Sequence, residues 1–525
     1  MLSWAAEGKQ MPRVKTPSFI TEIPLIVTSQ DEAELRSRFN AGMRLYNALL
    51  NESMVRMNLV RGSDSFQAAK KLPKGKEKSP EAKIRSDAFD AARKAYRYSE
   101  FDLHTYATVV AKGSDWIAQK IDAQAQQTLA SRAFKASEKV LFGRAKGVRF
   151  KVPNRFKSME GKTNKQGIRW AENEFVWGKL RLKAIIDPGN KVIAHGLKSR
   201  IKYVRIIKKE IRGTWRWFAQ LICEGVPFKK DKNVTPPGLV GIDLNVSNVA
   251  FVGNDKAGLL PFAEKVPTFE QEIKAAQRQM QRSQRVANPD NYEPDFAGRK
   301  GRKAITKKGK VKKGKRKWHK SQTYLKVAAK KRELERRKAA YSKSHNRRLV
   351  NDILRNGNQI RTENVSVKGW QKRYGKAILA KSPGFFQAEL KRKAEGAGGS
   401  FTKFSTQKTA LSQTHLTGER VKKSLSERVH YDQTGIVMHR DLFSAFLARY
   451  VDEDQLALQD ACEAYLGMET SLIEAWRRYK INCEQVGIAE SRKAHPPSER
   501  FSICSEKANQ IDNLGFDPRF GRKVS

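Results

Sequence analysis

Three short segments, far apart in the chain, each set one carboxylate into an apolar or ordered context. In Gly238-Leu239-Val240-Gly241-Ile242-Asp243-Leu244-Asn245, Asp243 interrupts a buried-strand pattern. A charged group in such a place must be paired or bind a metal. In Gln359-Ile360-Arg361-Thr362-Glu363-Asn364, Glu363 closes a second short strand. In His439-Arg440-Asp441-Leu442-Phe443-Ser444-Ala445-Phe446, Asp441 begins an amphipathic helix whose apolar side carries Leu442, Phe443, Phe446, Leu447 and Val451. Taken singly, each acid has an ordinary role: a strand-end or turn residue for Asp243 and Glu363, a helix N-cap for Asp441. Taken together, an Asp, a Glu and an Asp are what two-metal phosphodiester chemistry needs. Carboxylate oxygens bind hard divalent cations, and a nucleic-acid backbone supplies the remaining oxygen ligands.

The charge of the chain points to the same partner. Its 525 residues hold 104 Lys and Arg against 54 Asp and Glu, a formal net charge of +50. A solvated charged surface normally comes near balance, so this imbalance calls for a large polyanion. Binding to it is dominated by counterion release and falls steeply with salt. The cysteines, Cys223, Cys462, Cys483 and Cys504, form no CxxC pair, so neither a disulfide framework nor a local cysteine zinc site is expected. No apolar run reaches about 18 residues, and the first residues lack a basic region followed by an apolar stretch. The expectation is a soluble cytoplasmic protein with no membrane partner.

Elements must carry these acids. Pro17 to Ser29 reads as a strand, and Asp31 as the cap of a helix through Leu35, Phe39, Leu45, Tyr46 and Leu49. A mostly helical stretch from Pro80 to Leu141 follows a lysine-rich loop. After Gly143 the pattern turns to strands, with Ile201–Ile207 and Trp215–Ile222 paired around Arg212-Gly213. Arg299 to Arg348 is the most basic region: a flexible loop around Lys307, Lys308, Lys312, Lys313, Arg316 and Lys317, then a helix from Ser321 to Leu354 carrying Arg336, Arg337, Arg347 and Arg348. Glu333 and Glu335 cannot neutralise that helix, so these ten cations are candidate contacts to a nucleic-acid backbone. Trp215, Trp217 and Trp370 are available to stack on bases, with core packing as their ordinary role.

The order and context of the three acids resemble the RuvC-like nuclease domain of the TnpB family of RNA-guided endonucleases and the related compact type V CRISPR effectors. The resemblance rests on Gly241-Ile242-Asp243-Leu244-Asn245, on Thr362-Glu363-Asn364-Val365-Ser366-Val367-Lys368-Gly369-Trp370 and on Arg440-Asp441-Leu442-Phe443-Ser444-Ala445-Phe446. The Phe385–Glu395 segment followed by Gly398-Gly399 looks like the family's helix and turn, and the likeness is firm from about 234 to 451. It implies an α/β multidomain protein: an RNase H-like (RuvC) nuclease domain with a helical recognition lobe and a small β-barrel-like wedge domain. The implied layout is a wedge strand over 1–30, the recognition lobe over 31–142 and the β wedge over 143–235. Nuclease parts cover 236–298, 358–403 and 439–488. A basic loop and long helix fill 299–357, a degenerate zinc-ribbon-like subdomain 404–438 and a mobile basic tail 489–525.

The resemblance further implies that Asp243, Glu363 and Asp441 hold two magnesium ions about 4 Å apart, and that guide RNA and target DNA are the partners of a monomer. Guide pairing would select the DNA while the protein reads backbone shape and a short flanking motif. One departure stands out. Where the family carries two cysteine knuckles, this chain has Leu411-Ser412-Gln413-Thr414-His415-Leu416-Thr417-Gly418 and His430-Tyr431-Asp432-Gln433-Thr434-Gly435. His415, His430 and His439 offer nitrogens and Asp432 a carboxylate, but structural sites almost always include thiolates or tightly spaced histidines. Zinc is not expected, and the subdomain is read as ribbon-shaped without it. Three other functions fit parts of the sequence: an RNA-guided binder or repressor with weak or no cleavage, a structural RNA-binding protein, and a metal-dependent transposase.

Overall fold

Alternation decides which way the first acid points. In β1 (Leu239–Leu244), Val240, Ile242 and Leu244 are buried in one core cluster, which leaves Gly241 and Asp243 on the opposite face. The computed structural model describes residues 16–486 except 76–78, 302, 315, 425 and 426, and divides the chain into two units, Met1–Phe228 and Lys229–Ser525. The basic tail read over 489–525 lies outside the described residues.

The second unit is built on a five-stranded sheet. β1 pairs antiparallel with β2 (Asn248–Val252), and β2 with β3 (Ala257–Pro261). On its other side β1 runs parallel to β6 (Gln359–Glu363), and β6 parallel to β7 (Ser400–Phe404), giving the order β3-β2-β1-β6-β7. Between β3 and β6 the chain makes α1 (Val266–Val286), the ribbon β4 (Phe296–Lys300) and β5 (Lys303–Lys307), and α2 (Gln322–Leu354). After β6 come α3 (Val367–Lys381) and α4 (Pro383–Glu395). After β7 come the hairpin β8 (Val429–Tyr431) and β9 (Val437–His439), α5 (Arg440–Leu447) and α6 (Leu458–Val486).

The sheet is covered on both faces. Val249 and Phe251 of β2 join Val240 and Ile242 against Leu349, Val350 and Ile353 of α2 and Phe386 and Leu390 of α4. Ala250 and Val252 face the other way, into a core with Leu442, Phe443 and Phe446 of α5 and Leu472 and Trp476 of α6. Phe443 and Phe446 are fully buried, and side chains of this size contribute about 1.5–3 kcal/mol each by burial.

α1 and α2 run antiparallel, tied by the Lys338–Glu270 ion pair at 2.7 Å and the Ser283–Ser321 hydrogen bond at 2.7 Å. Ser321 caps α2, accepting the Tyr324 N–H at 3.1 Å. Part of the stretch read as a loop is the ribbon β4–β5, closed through Gly301 at a φ of +62°. Glycine takes that conformation without a side-chain penalty, and the lysine density of the segment hid the Phe296, Ile305 and Thr306 strand formers.

In the first unit, the helix Ser29–Gly62 opens on a capping box. Thr28 is the cap, its hydroxyl accepting the Asp31 N–H at 3.2 Å while the Asp31 carboxylate accepts the Thr28 N–H at 3.0 Å. Asp31 therefore sits inside the helix and is not its cap. The strands Ile201–Ile211 and Thr214–Glu224 pair across Arg212 and Gly213, both at positive φ. With Ser18–Pro24 and Ser158–Glu160 they make a four-stranded sheet, and Ile168–Ala171, Glu174–Trp177 and Leu180–Lys183 make a three-stranded one. The region read as barrel-like thus takes the form of two sheets, bridged at Leu25 and Ala184. Trp217 is buried edge-on to Phe39, whereas Trp215 lies beneath the Lys157 and Lys208 ammonium groups. Trp370, in the second unit, packs partly buried against the α2–α4 core. Among the described residues no helix is long and apolar enough to cross a membrane.

Candidate functional site

Register brings the first two acids together. Ile360 pairs with Val240, Arg361 with Gly241 and Thr362 with Ile242. One step further along these parallel strands, Glu363 falls beside Asp243, at the strand spacing of about 4.8 Å and on the same face. Phe404, the β7 partner of Glu363, belongs to the α5 core, which identifies that face as the one α5 covers.

Gly241 sets the third acid. A Cβ there would fall on the Ala445 carbonyl oxygen and lie 2.8 Å from the Arg449 amide nitrogen, so α5 crosses β1 in backbone contact. Asp441 is one helical turn before Ala445, roughly 6 Å along the axis. Asp243 is two residues beyond Gly241, roughly 6.6 Å along the strand. The Arg361 guanidinium, 2.8 Å from the Arg449 carbonyl oxygen, ties β6 to the turn that follows α5.

Asp441 does not cap its helix. His439 does, its Nδ1 accepting the Asp441 N–H at 3.2 Å. The Asp441 side chain is left facing the site, only 1 % exposed, with Arg428 and Arg440 at 3.7 and 3.9 Å from Oδ1. Its Oδ2 is buried without a hydrogen-bond partner.

The electrostatics are those of acids short of partners. Burial, then the charges of Asp441 and Glu363, push the Asp243 carboxyl well above the usual carboxylate range. The Asn245 amide, donating to Asp243 Oδ2 at 3.3 Å, and the Arg440 charge offset this only in part. Burial pushes Glu363 up to about 7, against a backbone N–H donated by Leu411. Two carboxyls pushed up by burial, beside a third acid with an orphaned buried oxygen, suit a hard divalent cation. The parts that Gly241, His439 and the Leu411 amide play at this site were not assigned from the sequence. Only Gly241, two residues before the acid, left a readable signal.

The ribbon-like stretch gathers a second cluster. The ligand atoms of His415, His430 and Asp432 lie within 4.8 Å of one another, all buried. His439, grouped with them by sequence, is elsewhere, edge-on to Trp476 and Tyr479.

The ten candidate cations occupy two settings. Lys307 ends β5, fully in the open, and Lys308 pairs with Asp295 at 2.6 Å. Lys312, Lys313 and Lys317 are exposed in the loop, and Arg316 donates to the Lys313 carbonyl. On α2, Arg336 pairs with Glu333 at 2.6 Å, Arg337 lies over Phe269, and Arg347 is 3.5 Å from Glu389. Arg348 is exposed.

No protein-family model and no curated protein matches the chain. Among solved structures it is similar to the Cas12f1–sgRNA–target DNA complex determined by cryo-EM, at 11% identity and a TM-score of 0.40, covering 82% of this chain and 98% of that one. It is also similar to a CRISPR-Cas12f ternary complex, at 12% identity and a TM-score of 0.25, covering 79% and 81%.

Proposed function

We propose that the protein is an RNA-guided DNA endonuclease that hydrolyses phosphodiester bonds with magnesium held by Asp243, Glu363 and Asp441. The observation that carries this reading is the convergence of three under-partnered carboxylates on one face of the sheet, from adjacent parallel strands and the first turn of α5. The order β3-β2-β1-β6-β7, with two antiparallel pairings followed by two parallel ones, is that expected of an RNase H-like (RuvC) core. RNA guidance rests on the motif resemblance and on a net charge of +50, which a guide and its DNA target would balance.

The residues present fit the cation. Asp243 and Asp441 supply hard oxygens from two elements locked by the Gly241 contact, and Glu363 supplies a third from β6. Bound there, magnesium would lower the pKa of a water and neutralise charge on the phosphate oxygens. The chain's own part is to fix the acids, to hold the Arg440 guanidinium 3.9 Å from Asp441 Oδ1, and to anchor α5 through the buried Phe443 and Phe446.

The test is cleavage by the purified full chain with its guide RNA. Matched DNA is cut in magnesium or manganese, and is bound but poorly cut in calcium. Asp243→Asn abolishes cutting and spares DNA binding. Guided binding without cutting in any metal would favour the repressor reading. Loss of folding in Asp243→Asn would favour a structural role for the acids.

A further inference from the structure

The resemblance implies a zinc ribbon in 404–438, and His415, His430 and Asp432 gather there, near enough for a cation. Their lone pairs, however, are taken. Asp432 Oδ1 accepts the Thr434 N–H at 3.0 Å and the Thr434 hydroxyl at 2.8 Å. Oδ2 accepts the Leu416 N–H at 3.0 Å and His430 Nε2–H at 2.9 Å. With its proton on Nε2, His430 has one lone pair, on Nδ1, and that accepts from the Lys423 ammonium group. His415 Nδ1 accepts the Gln433 N–H at 3.1 Å, which fixes the His415 proton on Nε2, a buried atom with no acceptor. The neighbouring Cys462 thiol donates to the Leu416 carbonyl at 3.2 Å, and burial with the Asp432 charge raises its pKa. A tetrahedral cation needs four free lone pairs, and this donor set presents none without breaking hydrogen bonds to backbone N–H groups or to the Lys423, His430 and Thr434 side chains.

The same cluster touches the nuclease helix. The His430 ring lies flat on Phe443, with centroids 4.0 Å apart and planes 19° apart. Phe443 is two residues beyond Asp441 on α5. Just before it, the Arg440 N–H reaches the Arg428 carbonyl at 2.8 Å and the Arg440 guanidinium reaches the Ser424 carbonyl at 2.9 Å.

We infer that this knuckle is closed by a proton network centred on Asp432 in place of a metal, and that through His430 and Phe443 the network positions Asp441. Asp432 and His430 are positioning residues and touch no substrate. Asp432 gathers strands β8 and β9 and the 414–420 turn around one carboxylate, as zinc would gather them around one cation. The second half of the inference rests on the nuclease reading; the first does not.

The test has two arms, both on the full chain. In the first, metal content and melting are measured after dialysis, then with added zinc and with a chelator. The network predicts no retained zinc and one melting temperature throughout, because a ligand that binds only the native state would raise it. One retained equivalent of zinc, with melting lowered by chelation, overturns the proposal. In the second, Asp432→Asn turns one acceptor into a donor facing other donors, and Lys423→Met is a milder variant that strips only the His430 Nδ1 partner. Either folded variant is predicted to bind manganese about tenfold more weakly, a change of about 1.4 kcal/mol, with guide RNA binding unchanged. Wild-type affinity for manganese in both overturns the positioning role. Failure of the wild-type chain to bind manganese at all sinks the nuclease reading and leaves the zinc result standing.

Discussion

Two aspartates from elements packed against α5 live in opposite worlds. Asp432 has four hydrogen-bond donors on its two oxygens, two of them backbone N–H groups, and its carboxyl is held down to about 2 by His430, Thr434 and Leu416 despite burial. Asp243 has one amide donor and two neighbouring acids, and its carboxyl stands well above the usual range. A buried carboxylate with every lone pair matched is a structural fastener. One left short of donors beside other acids carries a cost that only an added cation or proton relieves. The contrast separates a hub that the fold completes for itself from a site that waits for something.

The largest effect should come from the under-partnered side. Asp441→Ala is expected to slow cleavage about 10³-fold or more, the scale at which charge stabilisers act at a reacting centre, with folding retained as judged by circular dichroism. Next in size is the completed side. Asp432→Asn should cost about 2–4 kcal/mol in denaturant unfolding, since it strands buried donors. The linkage has a definite sign. Asp432 has a depressed folded-state pKa, so its contribution is present above about 3.8 and fades as the pH falls towards about 2.

Gly241→Ala tests the contact between the two halves of the site. Its Cβ would meet the Ala445 carbonyl, so we expect a loss of about 1–3 kcal/mol, the usual scale of overpacking, together with slowed cleavage. A neutral result in both assays would remove the contact that aligns α5 with β1.

Smaller, and opposite in sign, is Glu363→Gln. A raised acid binds more protons in the folded than in the unfolded state, so between about 4.5 and 7 folding loses stability as pH rises. Removing that charge should raise the melting temperature of the metal-free protein above pH 7, on the order of 1 kcal/mol after discounting for its partly open edge, and abolish further stabilisation by magnesium. Smallest is Lys307→Ala on the exposed ribbon, expected to lower the salt slope of nucleic-acid binding by about 1 without altering cleavage at saturation.

The sequence made some of this comparison legible and hid the rest. Asp243 was readable because it interrupts a run of buried strand residues and Glu363 because it closes a short strand, and β1 and β6 appear where those runs lie. That they are neighbours was not readable, because parallel pairing across more than a hundred residues leaves no local mark. The ordinary role for Asp441, helix capping, went instead to His439, whose imidazole reaches the same N–H. The Asp432 hub depends on a turn folding back so that Leu416 N–H meets a carboxylate sixteen residues on, and no periodicity encodes such a closure. Lysine density likewise concealed the ribbon β4–β5.

The central claim is that Asp243, Glu363 and Asp441 form one divalent-cation site. Calorimetric titration of the full chain with manganese tests it most directly, comparing wild type with Asp243→Ala and Asp441→Ala in the absence of nucleic acid. The account predicts saturable binding in the wild type and its loss in each folded variant, although the two residues lie on different elements. An isotherm left unchanged by either substitution would contradict it.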